Sequence, residues 1–519
     1  MLTPEAADVV NRGHDKDVAA VKAAPKSIDF MNDDAPFKTN FSIGDHKGDF
    51  QFYGIVDIGY TNVNHSLNPN QALPNSIYPY SYDAAGGHST TGVSSRNTWI
   101  NGGLQDSRFG FKGGIDLFHA ADNNLKFIYQ LEAGFNPLKG ELNNAVKSLS
   151  QNWTSSSSTA KTYSTFADSS LNGDLFARQA WGGVDAGKLG AVTWGIQYNP
   201  FYNIAGDYDP NHKADSFSPL GESGAIGGGG GISENARMKN SLKYANKFDA
   251  PMDGKVNIVG MYQFGNDVDT QWGRGYAAQV GYENSLFGIQ TAYNNFTDTV
   301  KVDVADTSSA AYTPGVYKNA ANAPLKAGLY DTQAYIIAAK LTPSKEVKFS
   351  GGYQWMQLSN GSDQNLCYGS VFGYSIEGGC ASSYYNSSKS VQGSIVASNS
   401  NTYSGNGGDH QNIDFWWVGG EYNFGERFPS LAGLTLSAAY YYTDYGTIAD
   451  STKTGKSFHI NTETAILDYK LNKRFDLYAA ATWNQFGGDY VDTVNSTTGA
   501  AGMAFKDINA YGVGVRMKF

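Results

Sequence analysis

Residues 506–519 read Lys506-Asp-Ile-Asn-Ala-Tyr511-Gly-Val513-Gly-Val515-Arg-Met517-Lys-Phe519. Tyr511, Val513, Val515, Met517 and Phe519 share one parity, which Asn509 breaks, while Gly512, Gly514, Arg516 and Lys518 share the other. A strand sends successive side chains to opposite faces, so one face is apolar and aromatic and the other small or cationic. A soluble sheet can alternate in this way, but it rarely ends a chain on Phe with the apolar face outward. The rest of the sequence decides between the two.

The same period recurs from Asp49 onward. Phe52, Gly54, Val56, Ile58 and Tyr60 oppose Tyr53, Ile55, Asp57 and Gly59, and Leu125 to Phe135 sets Lys126, Gln130 and Glu132 against its aromatics. Counted along the chain, such segments predict sixteen strands near 49–63, 104–117, 125–138, 173–186, 190–198, 238–247, 254–265, 275–285, 286–297, 331–342, 346–358, 412–424, 433–447, 456–471, 475–487 and 506–519. Short turns such as Gly187-Lys-Leu-Gly and Asn472-Lys-Arg alternate with long connections rich in Asn, Ser, Gly and Tyr. Short turns on one rim and long loops on the other mark a transmembrane antiparallel β-barrel, and an even strand count lets the first and last strands pair and abolish the edge. The competing all-β sandwich would need its second face solvated throughout.

Composition agrees. The 519 residues are 14% aromatic and 17% charged with a mean hydropathy of -0.40, and no run approaches the roughly 18 apolar residues of a membrane helix. A barrel hides in such a composition because only alternate residues face lipid. A net charge of -10 argues against a nucleic-acid partner, which needs a basic patch. No opening run combines a basic start with an apolar core, which weakens the expectation of export without removing it.

Residues 1–48 differ in composition and form an expected amino-terminal periplasmic extension. The readings are a flexible tail, a short helix opened by Thr3-Pro4-Glu5, or a plug entering the barrel. Cys367 and Cys380 lie 13 apart in a Gly/Ser/Tyr-rich stretch without metal or redox spacing. They are read as a disulfide in an exposed loop, which suits an oxidising compartment; two free thiols are the alternative.

The ending on Phe519 resembles the terminal strand of Gram-negative outer-membrane barrels, where such a Phe is implied to act as an assembly signal. Three further stretches resemble the general trimeric porins of Gram-negative bacteria: Ser107-Arg-Phe-Gly-Phe-Lys-Gly113 followed by Leu125 to Phe135; Phe176-Ala-Arg-Gln-Ala-Trp-Gly-Gly183 followed by Gly187 to Tyr202; and Arg237-Met-Lys-Asn-Ser-Leu-Lys-Tyr244. The likeness touches most of 49–519 and is dense over 104–247. It implies a homotrimer in the bacterial outer membrane, surrounded by lipid and lipopolysaccharide, passing small hydrophilic solutes and ions with no cofactor.

The resemblance further implies that the loop after the fifth strand, Asn199 to Ala236 here, folds into the lumen as a constriction loop. Its acids are Asp207, Asp209, Asp215 and Glu222. Carboxylates facing a basic wall across a narrow gap would set up a transverse field that sorts solutes by charge. Parity supplies the wall independently: Phe109 and Phe111 outward put Arg108 and Lys112 inward, Trp181 outward puts Arg178 inward, and Leu242 and Tyr244 outward put Lys239 and Lys243 inward. The family match places Arg108 and Lys239 on its basic cluster. Where the family commonly reads Gly-Arg-Gln, this chain has Gly195-Ile196-Gln197, so one wall cation is missing.

Catalytic signatures are absent from the sequence: the eight His are scattered, and neither His-Glu-x-x-His nor Gly-x-Ser-x-Gly occurs. The glycine run 227–231 lacks the flanking strand and helix of a phosphate cradle. The expectation is a non-enzymatic porin. A substrate-specific channel, with Tyr and Trp stacking on sugars or carboxylates selecting a cation, is the alternative within transport. A surface adhesin or receptor built on the long loops 64–103, 139–172, 298–330 and 359–411 is the alternative outside it.

Overall fold

Strands form where the period-two pattern runs, and their ladders close. The computed structural model describes residues 37–66, 94–120, 123–142, 164–167, 175–176, 178–221, 236–265, 274–297, 301–305, 325–328, 330–360, 369–371, 374–376, 410–449, 455–489 and 507–519. A first strand, β1 (Lys38–Ile43), precedes β2 (His46–Ser66). β3 (Ser94–Asn101) and β4 (Arg108–Ala120) are two halves of one interrupted barrel strand. β5 (Asn123–Asn136), β6 (Gln179–Asp185) and β7 (Ala191–Tyr198) lead to the helix α1 (Pro200–Tyr208). Then come β8 (Arg237–Ala250), β9 (Gly254–Gln263), β10 (Gly275–Glu283) and β11 (Phe287–Phe296). β12 (Tyr330–Leu341), β13 (Val347–Asn360), β14 (His410–Asn423) and β15 (Leu434–Ala449) follow. β16 (Gly455–Lys470), β17 (Phe475–Gly487) and β18 (Asp507–Lys518) complete the wall.

Each strand pairs antiparallel with its sequence neighbour, and β18 pairs with both β17 and β2 (Leu477↔Val515, Ile58↔Val515), so sixteen strands close into a barrel without a free edge. The closure overturns the sandwich alternative. Val513 (57% exposed), Leu477 and Leu467 face outward, whereas their alternates Thr464, Thr482 and Asn484 are buried inside. An apolar outside around a polar inside reverses the arrangement of a soluble domain. No helix among the described residues is long and apolar enough to cross a membrane.

Two departures from the period-two reading matter. Part of the segment assigned to an extension is strand: β1 pairs with the start of β2 (Lys38↔Gln51 to Ile43↔His46), turning at Gly44, whose φ is +59. β1 prolongs the line of β18 along the same edge of β2. Between them, Phe519 exchanges backbone hydrogen bonds with Gly54 (2.9 and 3.0 Å), and its ring lies 5.5 Å from that of Phe52 and 6.3 Å from that of Phe37. A Cβ at Gly54 would run into the Phe519 ring. Gly54→Val is therefore expected to unseat the terminal ring and to press on the Arg108 carbonyl of β4, 2.8 Å from such a Cβ, lowering the yield of folded barrel on refolding into detergent. A yield equal to the native chain's would show that the seat is dispensable.

The second departure is the interrupted strand. Gly102-Gly103-Leu104-Gln105-Asp106-Ser107 leaves the wall between β3 and β4, held by fully buried Asp57 of β2. The Asp57 carboxylate accepts from the backbone N–H of Gly103 (3.2 Å), Leu104 (2.9 Å) and Gln105 (2.9 Å) and from the Tyr478 hydroxyl (2.7 Å). Gly102 adopts φ +83, which only glycine takes without strain. Wall hydrogen bonds lost by the break are thus replaced by a side chain from the next strand.

Candidate pore constriction

Asn199-Pro200 opens α1 as its composition directs: the Asn199 side chain accepts from Tyr202 N–H (3.0 Å), and Pro occupies the first turn, where no N–H is needed. The helix and the residues after it lie inside the barrel. Phe201, Ile204, Tyr208, Phe217 and Leu220 are fully buried, as are the inward Ile413, Phe415 and Tyr441 of the wall. Trp417 donates its indole N–H to Tyr208 O (3.0 Å), Asn211 donates to the Tyr441 hydroxyl (2.9 Å), and Thr464 donates to Phe217 O (2.9 Å). The loop then docks on the interrupted strand, with Asp215 N–H on Leu104 O (3.2 Å), Ser216 N–H on Gly103 O (3.1 Å) and Ser216 Oγ on Gly102 O (2.7 Å). Bonded to β14, β15, β16 and the 102–104 segment, the described part of the loop is a fixed inward fold.

The expected acids take different places. Asp207 is exposed. Asp209 is a correction: it is fully buried and faces no lumen. Its carboxylate accepts from Tyr441 OH (2.5 Å), Ser218 Oγ (2.7 Å), Lys213 N–H (2.8 Å) and Asn211 N–H (3.1 Å), which makes it the clamp that shapes the loop. Asp215 sits on the interrupted strand. Burial, and the Asp106 carboxylate beside it, hold its pKa well above the ordinary value. Glu222, the 227–231 glycines, Cys367 and Cys380 lie outside the described residues.

On the wall, Arg178 is almost fully buried and donates to Glu132 (2.9 Å), Asp106 (2.8 Å) and the Tyr198 hydroxyl (2.9 Å). Arg108 lies 3.7 Å from the same Glu132, and the Tyr53 hydroxyl donates to it at 2.9 Å. Two expected wall cations are therefore neutralised by a carboxylate of their own wall rather than by loop acids opposite. Lys112 is exposed, 5.0 Å over the Tyr53 ring, and Lys243 Nζ reaches Tyr198 O (3.4 Å). Lys239 departs from the pattern. A bulge between Met238 and Ser241, with Asn240 at φ +43, breaks the alternation, and Met238 and Ser241 take the buried positions on either side.

Trp181 is a second parity correction. It pairs with Gln130, and Gln179 with Glu132, both lumen-facing, whereas Gly182 pairs with outward Trp194. The indole therefore faces the lumen. Arg178 reaches inward for another reason: it lies in a bend ahead of β6, where strand parity does not apply. Period-two reading had placed Glu132 inside without giving it a role. Asp106, Tyr198, Tyr202, Lys213 and Arg237 were missed, although several lie within the resemblance motifs. Arg237 stands 5.3 Å from the Tyr198 ring centre, Tyr198 stacks on Tyr202 at 3.8 Å, and Lys213 caps Tyr202. The column ties α1 to β7 and β8. Burial pulls the Lys213 ammonium down to about 8.

Asp215 gives a pH prediction. Its raised pKa means that the docked loop holds a proton that the released loop gives up. The docking contribution is full below the ordinary carboxylate value of about 4 and is lost as pH rises through the raised value. Current noise from loop release should grow with rising pH, and Asp215→Asn should abolish the trend. A trend unchanged in that variant would place the titrating group elsewhere.

The family profile describing Gram-negative porins matches residues 33–489. No curated protein sequence matches the chain. Among solved structures, the anion-selective porin from Comamonas acidovorans is similar at 15% identity and a TM-score of 0.52, over 91% of this chain and 100% of that one. An OmpT loop-deletion mutant from Vibrio cholerae is similar at 13% identity and a TM-score of 0.49, over 91% and 99%. Salmonella typhi OmpF, in complex with daunomycin, follows at 14% identity and a TM-score of 0.45, over 93% and 100%. With the profile spanning most of the sequence and the barrel closed around an inward loop, the chain belongs to the Gram-negative porin family, channels for the passive diffusion of small solutes.

Proposed function

We propose that the protein works in the bacterial outer membrane as a homotrimer, without catalysis or cofactor, set in lipid and lipopolysaccharide. Small hydrophilic solutes and ions cross it down their gradients. The observation that carries this reading is the fixed inward loop, bonded to the lumen face of a closed barrel whose outside is apolar. Such a loop narrows a water path without needing to move. The charge pattern supports weak selectivity. Glu132 and Asp106 sit beside Arg108 and Arg178, so their fields largely cancel at a distance.

Swelling of liposomes containing the purified protein, in isotonic sugars of increasing size, tests this reading. Swelling rates should fall smoothly with solute size, and cross-linking in detergent should stop at three chains. Uptake of one sugar far out of size order would replace the general channel with a dedicated one.

A further inference from the structure

Indole and ammonium groups share one row on the lumen wall. Lys112 of β4 pairs with Gln130 of β5, and Gln130 with Trp181 of β6. At about 4.8 Å per strand, the Lys112 and Trp181 backbones lie about 10 Å apart, both facing in. Trp181 is half-buried, its Nε1–H donating to Gln179 Oε1 (3.1 Å), which fixes the indole against its own strand. Opposite it on β7 stands Gly195, so no side chain from that strand covers it. A Cβ there would collide with the β6 backbone.

The neighbouring cations are engaged: Lys126 with Asp49 (2.7 Å), Arg108 with Glu132 (3.7 Å), and Arg178 with Glu132 and Asp106. Lys112 is exposed, and among the described residues it meets the Tyr53 ring and pairs with no carboxylate. A half-exposed Trp on a polar wall and an unpaired ammonium two strands away are separate anomalies, and one ligand chemistry answers both.

We propose that this row is a solute subsite for aromatic monocarboxylates. The ring stacks on Trp181, the carboxylate reaches Lys112, and the Gln130 side chain lies between them. Rings gain by stacking on an indole, and a carboxylate on a lysine makes a charge-assisted hydrogen bond. A neutral sugar would leave Lys112 unanswered, and an inorganic anion would leave Trp181 so. The subsite lies on the β5 row next to Glu132 and the Arg178 cluster, where a solute passing the loop would meet it. It rests on the channel reading and gives that channel a preferred solute class.

Single-channel current in planar bilayers, titrated with benzoate, benzamide and glucose, tests it. Benzoate should block saturably, benzamide about tenfold more weakly, and glucose not at all. Trp181→Ala should raise the half-blocking benzoate concentration about three- to tenfold, as loss of one aromatic contact implies, while Trp181→Phe stays near native. Lys112→Gln should bring benzoate down to the level of benzamide. The open-channel current of each variant reports that it has folded. Equal block by benzoate and benzamide, block by glucose at benzoate concentrations, or native block in both Trp181→Ala and Lys112→Gln would each overturn the subsite while leaving the channel standing. A chain that never conducts would overturn both.

Discussion

An Asp209→Ala channel is expected to carry a larger and noisier current than the native one while keeping its barrel. Asp209 is fully buried and accepts four hydrogen bonds, two from backbone N–H groups within the loop, one from Ser218 and one from Tyr441 on the wall. Removing the carboxylate strands these donors, so the docked loop should lose about 3–5 kcal/mol. No strand-to-strand bond is touched, because Asp209 follows α1 and lies in no ladder. Asp209→Asn keeps an acceptor of the same shape and should fall between. The readouts are single-channel conductance and open-channel noise. Unchanged current in Asp209→Ala would mean that the loop is held without its clamp.

Asp57→Ala is expected to cost the barrel itself. Asp57 belongs to β2, and its carboxylate stands in for the wall hydrogen bonds that the 102–107 segment gives up. Tyr478 of β17 ties the same carboxylate across the closing strand, so three parts of the fold meet at one side chain. Losing it leaves three backbone N–H groups and a hydroxyl unpaired, again about 3–5 kcal/mol. It also removes the platform on which Asp215 and Ser216 dock. The temperature at which the folded form loses its compact gel mobility should drop, and loop-release noise should appear in the same variant. Tyr478→Phe removes one of the four bonds and should cost about 1 kcal/mol. Because Asp57 and Asp209 hold the same loop at two points, their double variant should be less than additive in its effect on current. Full additivity would show two independent devices.

The wall was legible in the sequence because a half-lipid, half-water strand forces the period of two on nearly every residue. The places where that reading failed are those where backbone leaves the ladder. β3 escaped notice because Gly102 and Gly103 interrupt its strand, and the residue that makes the break stable, Asp57, sits 46 to 48 positions away. A bulge at Met238–Ser241 removes the parity argument for Lys239, and Trp181 misleads because its aromatic ring reads as lipid-facing, with Arg178 then counted from it across the bend ahead of β6. Asp209 is the sharpest case. An acid in a lumen loop has the composition of a pore charge, and its true role depends on Tyr441, 232 residues further along. β1 carries the alternating Phe41 and Ile43 but is too short for a pattern of six residues to stand out before the barrel begins.

A conducting barrel narrowed by a pinned, inward loop should show itself in the single-channel current of the native protein in a planar bilayer with a salt gradient across it. Steps in groups of three, quiet open levels and a reversal potential close to zero are expected. Insertion without current would contradict this, and so would a steep reversal potential, which would mean that lumen charges outside the Arg108, Arg178, Glu132 and Asp106 cluster, Lys112 among them, set the selectivity.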